Sequence, residues 1–345
     1  MHLPILVILT FASLIFGSKP SLADDHSYDV AVGAYVMPGI PTAHLFYEFA
    51  DTMAERSENR LVPKMLIHGE GGSEEQVLAS LRRGRIQLAA FSFLSLATVI
   101  PEIEITKAPF LFDSVEEYDF VLDAHLAKEI DELLAEKNLV RVRWLNLGPT
   151  HLYGKKSLAN PHDIRGYRVR ASSDLATQVF LEAVNADIIF MPTPDIVPAL
   201  QTGLLDGGAT PAITYAQTGY AENAPHYTLT GHFYLGSMIV ADKKWLDRLP
   251  PELQNIVMGS YASDERIRTV YRKLATEQIA RSKIDGFKVY EVSPAQLDAW
   301  KLLVSGTHEK MIAAIGGRSQ EFYDKILKGK RAFALKNGPA NGTTP

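Results

Sequence analysis

Cysteine is absent from the 345-residue chain, which removes a disulfide framework, a Cys-ligated zinc or iron-sulfur centre, a thiol nucleophile and a lipid-modified cysteine anchor. Neither sign of charge dominates. The 35 Lys and Arg stand against 40 Asp and Glu, a formal net charge of -5, so nothing electrostatic draws the chain to nucleic acid. Long apolar runs are scarce too. The one extreme segment, Leu3 to Phe16, falls short of the roughly 20 residues that a permanent membrane-spanning helix needs. Ser21-Leu22-Ala23 follow it, ahead of Asp24 and Asp25. Small side chains at Ser21 and Ala23 suit a signal peptidase, so residues 1–23 read as an export signal cleaved after Ala23, even though only His2 and the amino terminus stand ahead of the apolar run. Its removal takes one Lys and no acid, leaving 34 against 40, or -6.

Catalytic signatures are missing as well. His68-Gly69-Glu70 imitates the H-x-E of a zinc deaminase but lacks the partner Cys pair. No two histidines flank a Glu at helical spacing, so a zincin helix is excluded. Gly69-Glu70-Gly71-Gly72-Ser73 opens a helix without the Lys of a phosphate loop, and Glu70 would repel phosphate. Gly203 and Gly207-Gly208 follow a helix, the wrong context for a dinucleotide fingerprint, and no G-x-S-x-G elbow supplies a nucleophilic serine. No enzyme activity, metal or cofactor is expected.

What is present is an ordinary globular composition, 46% hydrophobic and 22% charged, in a chain longer than the roughly 150 residues of one domain. From Tyr28 short apolar runs alternate with helix-period segments, which predicts an α/β fold built from βαβ units. Strands are expected at Tyr28–Tyr35, Leu61–Ile67, Ile86–Phe91, Val140–Leu147, Val169–Ala171 and Ile188–Met191. Helices are expected at His44–Arg56 behind Thr42, from Ser73 to Arg83, Ser114–Lys137, Asp174–Val184 and Asp195–Thr202. Pro101–Phe112 reads as extended. Helical spacing runs nearly unbroken from Pro251 to Ile284, longer than most globular helices and suited to crossing between two lobes.

Two ordered motifs then carry a resemblance. Asp163-Ile164-Arg165-Gly166-Tyr167-Arg168-Val169-Arg170 and Asp195-Ile196-Val197-Pro198-Ala199-Leu200-Gln201-Thr202-Gly203-Leu204-Leu205-Asp206-Gly207 resemble segments of the DctP-like substrate-binding proteins of tripartite ATP-independent periplasmic (TRAP) transporters. The stretches Glu74–Gly84, Val99–Glu102, Pro109–Phe112 and Trp245–Leu249 extend the similarity over nearly the whole mature chain. It implies a two-lobed periplasmic-binding-protein fold with a long helix crossing both lobes and a ligand cleft between them. The expected division is 24–147 plus about 236–275 for the first lobe, 148–235 plus about 276–336 for the second, and a loose tail at 337–345. It also implies a periplasmic receptor that passes an organic acid to a large and a small membrane subunit, working as a monomer or, less commonly, a dimer. A sensing subunit for a two-component system is the alternative, and a periplasmic hydrolase a weaker one.

Arg168 and Arg170 share one strand face, and periodicity alone does not choose between them. The resemblance points to Arg170 as the carboxylate anchor, a role suited to a guanidinium because its planar fork of donors matches two carboxylate oxygens. On the first lobe it implies Tyr35, Glu74 and Ser92 facing the cleft; on the second, Thr150, Thr193 and Thr210, with His232 at the hinge. Phe93, Trp144 and Tyr215 read as core first and as ligand platform second. Thr150 stands where some members of the family carry Arg, and Thr210 where an Asn is common, which weakens the hold on a second carboxylate or a heavily hydroxylated acid and favours a ligand anchored by one carboxylate, with the family's four-carbon dicarboxylates as the alternative.

Overall fold

The computed structural model describes residues 26–36 and 42–337. The expected export signal, the Met37–Pro41 loop and all of the expected tail except Asn337 lie outside the described residues. Asn337 ends the last helix.

Nine strands form one sheet: β1 (Tyr28–Gly33), β2 (Leu61–Leu66), β3 (Leu88–Ser92), β4 (Leu139–Gly154), β5 (Arg168–Ala171), β6 (Asp187–Phe190), β7 (Gly207–Thr210), β8 (His226–Asp242) and β9 (Lys288–Glu291). Their order is β2-β1-β3-β8-β4-β7-β5-β6, with β9 also paired to β8. The expected Val140–Leu147 strand is only the first half of β4. It continues through Gly148 and Pro149 into the second lobe, antiparallel to the equally long β8. These two strands carry the sheet across both lobes.

Helices cover the sheet as the apolar spacing predicts. In the first lobe α1 (Ala43–Arg56) buries Leu45, Phe46, Phe49 and Met53. Ser73 starts α2 (Glu74–Arg82) with a capping box, its hydroxyl accepting from the Gln76 N–H while the Gln76 side chain accepts from the Ser73 N–H. After the short α3 (Phe93–Leu96), residues Pro101–Lys107 form a 3-10 helix and not the expected extended segment. The alternation Ile103-Glu104-Ile105 imitates a strand, but Pro101 at the first helical position favours a helical turn that still buries both isoleucines. The expected Ser114–Lys137 helix is α4 (Val115–Val121), a π turn at Leu122–Leu126 and α5 (Ala127–Glu136). Ser114 caps it through the Glu117 N–H.

The second lobe adds α6 (Leu175–Ala183), α7 (Ile196–Thr202), α8 (Ala212–Gln217) and α9 (Tyr220–Asn223), followed by α10 (Lys243–Leu246) beyond β8. The unbroken Pro251–Ile284 helix is not observed. It divides into α11 (Pro251–Ser260), α12 (Asp264–Ala280) and α13 (Ser282–Asp285). Tyr261 turns extended and packs its ring on Phe46 and Phe49, and Ser263 caps a new helix through the Arg266 N–H. α12 alone makes the crossing. Ile267 and Tyr271 sit in the core that covers the first-lobe strands, whereas Ala275 and Ile279 reach the aromatic cluster of the second lobe. The chain closes with α14 (Pro294–Leu303), α15 (Thr307–Ile315) and α16 (Ser319–Asn337). α16 is ion-paired to the α4–α5 region, Lys325 with Glu129 and Lys330 with Asp113 and Glu117. The 276–336 stretch therefore reaches the first-lobe helices as well as β8 and α6.

Candidate functional site

Strand direction locates the cleft. β3 and β4 are both antiparallel to β8, and β1 and β2 run with β3, so the carboxyl ends of β1–β3 point along β4 towards the second lobe. β7 is antiparallel to β4, and β5 and β6 run with β7, so their carboxyl ends point back towards the first. Two carboxyl edges, where open α/β sheets bind ligands, thus face each other. Tyr35 and Ser92 lie at the first edge; Arg170, Thr193 and Thr210 lie at the second. Thr150 sits on β4 between them, opposite Phe233.

The two arginines of β5 are sorted by their partners. Arg168 is held by Asp206 in a two-pronged pair, Nε to Oδ2 at 2.8 Å and Nη2 to Oδ1 at 2.7 Å, which accounts for the aspartate of the second motif. Arg170 donates Nε to the Met191 carbonyl at 3.1 Å and makes no ion pair among the described residues. That single bond leaves the Nη1 and Nη2 donors without a hydrogen-bond partner among the described residues. The paired glycines have a packing role: a Cβ on Gly208 would lie 2.5 Å from the Tyr153 hydroxyl, and one on Gly207 2.1 Å from the Tyr153 carbonyl. They let β7 approach β4 closely, beside the strand that carries Arg170.

On the first lobe Glu74 and Ser92 come together. The Ser92 hydroxyl donates to Glu74 Oε2 at 2.5 Å and accepts from the Ser95 N–H as the cap of α3. Its hydrogen is therefore committed. Glu74 is the first residue of α2; burial pushes its carboxyl up, partly offset by the Ser92 bonds. Tyr35 is half exposed and bridges to His68, whose Nε2 lies 3.3 Å from the Tyr47 hydroxyl. Thr193 is exposed at the start of a 3-10 turn, and Thr150 and Thr210 are nearly buried.

Three of the candidate residues are enclosed. Tyr215 is fully buried, donates its hydroxyl to the Ala224 carbonyl at 2.7 Å and stacks on Tyr227. Phe93 packs edge-on against Trp144 under Gly236, where a Cβ would strike its ring. Both are core. His232 is likewise fully enclosed, stacked on Phe180 with Nδ1 2.7 Å from the Thr230 hydroxyl, so it belongs to the hinge and not to the ligand surface.

Sequence reasoning missed Tyr220. It stacks on Tyr153 at 5.3 Å, and its phenol, pushed up by burial, is drawn down by Arg170 and raised by Tyr35. Tyr220 is nearly buried, in the second-lobe aromatic cluster with Tyr153 and Tyr215. The only available signal was the apolar spacing after Pro211, which looks the same for a core tyrosine as for one at the cleft.

The family profile for bacterial extracellular solute-binding proteins, family 7 (DctP), matches residues 33–314. A solute-binding protein of Chromohalobacter salexigens is 26% identical over 260 residues, spanning 74% of this chain and 76% of that one. The C4-dicarboxylate-binding periplasmic protein DctP of Rhodobacter capsulatus is 22% identical over 306 residues, 88% and 91%. In fold, the chain resembles the sugar-acid-binding protein DctPAm of Advenella mimigardefordensis in complex with galactonate, with a TM-score of 0.82 at 24% identity over 89% of this chain and 99% of that one. The chain belongs to the DctP family, family 7 of the bacterial extracellular solute-binding proteins.

Proposed function

We propose that this solute-binding protein works in the periplasm, captures an organic acid by one carboxylate on Arg170, and hands it to the large and small membrane subunits of a TRAP transporter without covalent change. The observation that carries the reading is the contrast on β5: Arg168 is neutralised by Asp206, whereas Arg170 is oriented by a carbonyl and lacks an ionic partner among the described residues. A partly enclosed guanidinium in that state favours an anion, because the carboxylate restores the interaction that burial removes. Closure follows from differential binding. A ligand held by Arg170 on one edge and by Glu74 and Tyr35 on the other makes its full set of contacts only when the edges meet, and this shifts the population towards the closed form.

Relatives that bind galactonate and C4-dicarboxylates set the ligand panel. Thr150 and Thr210 offer hydroxyls and not a second cation, which supports a monocarboxylate. A thermal-shift series with galactonate, glucuronate, succinate and malate, and with galactose and glucose as uncharged counterparts, tests this. Stabilisation of about 2.7 kcal/mol is expected at a hundredfold excess over Kd for one or more monocarboxylic acids and none for the neutral sugars. Stabilisation by a neutral sugar would refute the carboxylate requirement. Mass spectrometry of the bound acid after prolonged incubation is expected to return it unaltered.

A further inference from the structure

β4 and β8 join the two lobes, and their pairing is broken three times, once between Arg141 and Arg143 in the first lobe and twice nearer the cleft. Asn146 faces Gly236 and Pro149 faces Tyr234, so three steps on β4 match two on β8; Thr150 faces Phe233 and Leu152 faces Thr228, so two steps on β4 match five on β8. Each of these two breaks is a bulge, the local device by which a strand bends. Each contains a glycine in the left-handed region, Gly148 at φ +86° and Gly231 at φ +56°, and each of these glycines has its N–H taken by a side chain of β4. Asn146 Oδ1 accepts from Gly148 N–H at 2.9 Å, and His151 Nδ1 accepts from Gly231 N–H at 2.9 Å.

We infer that Asn146 and His151 are positioning residues that hold the two bulges and so set the resting opening of the cleft. Thr150 lies between the bulges and moves with them. Both side chains are nearly buried, and His151 lies opposite Thr210 on β7. Asn146 is gripped at its other end as well: Nδ2 donates to Asp119 Oδ1 at 2.5 Å, and Asp119 is ion-paired to Arg268 and Arg272 of α12. The amide orientation is thereby fixed, since a carboxylate only accepts and a backbone N–H only donates. Through Asp119 the first bulge is tied to the helix that crosses the lobes. His151 is the simpler pin. Its Nδ1 must be unprotonated to accept, and burial keeps the imidazole neutral, with its pKa held down at about 3, so the bond is present throughout the ordinary pH range.

The inference rests on the two-lobed receptor architecture and not on the Arg170 contact, and a measurement without ligand separates the two. The chain has no cysteine, so cysteines placed at the exposed Glu55 and Arg165 report the distance between the lobes uniquely when spin-labelled. In the ligand-free protein, Asn146→Ala and His151→Ala are expected to roughly double the width of that distance distribution, because an unpinned bulge samples more bend. Gly148→Ala and Gly231→Ala test the same bulges without removing a pin. A Cβ on Gly148 meets nothing within 4 Å and one on Gly231 only the His151 ring at 4.0 Å, so each acts through backbone strain alone and is expected to shift the centre of the distribution. Unchanged width and centre in all four variants, with no more than a lower Tm, would overturn the inference. Should an alanine variant at Asn146 or His151 fail to fold, the glycine variants decide it.

Discussion

Lys107→Met offers a quantitative test of how the strand that carries Arg170 is held. Lys107 reaches from the 3-10 helix of residues 101–107 to the start of α6, directly after β5, and its Nζ lies 2.8 Å from Asp174 Oδ1 and 3.0 Å from the Thr177 hydroxyl. The Asp174 side chain is 1% exposed. Burial pushes its carboxyl up, but Lys107 and the bonds from Ser172 and the Thr177 N–H outweigh this, and the net effect holds it below the ordinary value of 3.8. Methionine fills the aliphatic space and removes only the charge. Breaking a buried pair by deleting one partner costs about 3–5 kcal/mol. The lower end applies because the Ser172 and Thr177 bonds to Asp174 remain. With about 2.1 cal/mol/K per residue of unfolding entropy over about 300 ordered residues, a loss of about 3 kcal/mol lowers Tm by roughly 5 °C.

The pH dependence gives the sharper signature. In the native chain the Asp174 contribution is present above its unfolded pKa and lost as pH falls through the depressed folded value. Without Lys107, burial is no longer outweighed and the folded pKa rises. The deficit of the variant is then full at pH 7 and shrinks as pH falls through that raised value, since a protonated Asp174 needs no counter-ion. Glu104, itself raised by burial and by Asp174, acts in the same direction. Urea denaturation at pH 7 and pH 4 measures both deficits. A deficit below about 1 kcal/mol at pH 7, as for an exposed pair, or one equal at both pH values, would refute the reasoning.

Glu74→Gln is expected to flatten one component of the stability profile. Since burial raises the Glu74 carboxyl above 4.5, its contribution is complete below that value and is lost as pH rises through the folded pKa. Tm of the variant relative to wild type should therefore improve from pH 4.5 to pH 7, and a difference that declines over that window would contradict the assigned direction. Gly208→Ala places a methyl group 2.5 Å from the Tyr153 hydroxyl and is expected to cost about 1–3 kcal/mol by overpacking, read by denaturant titration. An unchanged midpoint would show that β7 can retreat from β4.

Much of this architecture could be read from the sequence because the informative signals were local. Ser73 with Gln76 three residues on, Ser114 before Val115 and Asp174 before Leu175 each mark a helix start where a cap is found. The departures arose where a distant contact decided. Nothing near Tyr261 shows that its ring seats between Phe46 and Phe49, and so the helix appears continuous where α11 ends. The Ile-Glu-Ile alternation at 103–105 reads as a strand because Glu104 answers to the Leu175 and Ala176 N–H groups, about seventy residues away. Ser92 ends β3 and Arg170 stands one residue before the end of β5, so both lie near strand ends that the apolar pattern already marks. Periodicity does not separate Arg170 from Arg168, whereas the resemblance does, and the Asp206 partner of Arg168 is a contact that spacing does not encode; Tyr215, read as core first, is fully buried with its hydroxyl on the Ala224 carbonyl.

Calorimetry of Arg170→Ala beside Arg168→Ala, with the acid that gives the largest thermal shift, tests the central claim most directly. Removing a charged, hydrogen-bonded anchor costs about 2–5 kcal/mol of binding. Arg170→Ala is therefore expected to lose at least about tenfold in affinity, while Arg168→Ala, whose partner is Asp206, binds as wild type. Wild-type affinity in Arg170→Ala, or the loss appearing in Arg168→Ala instead, would contradict the account.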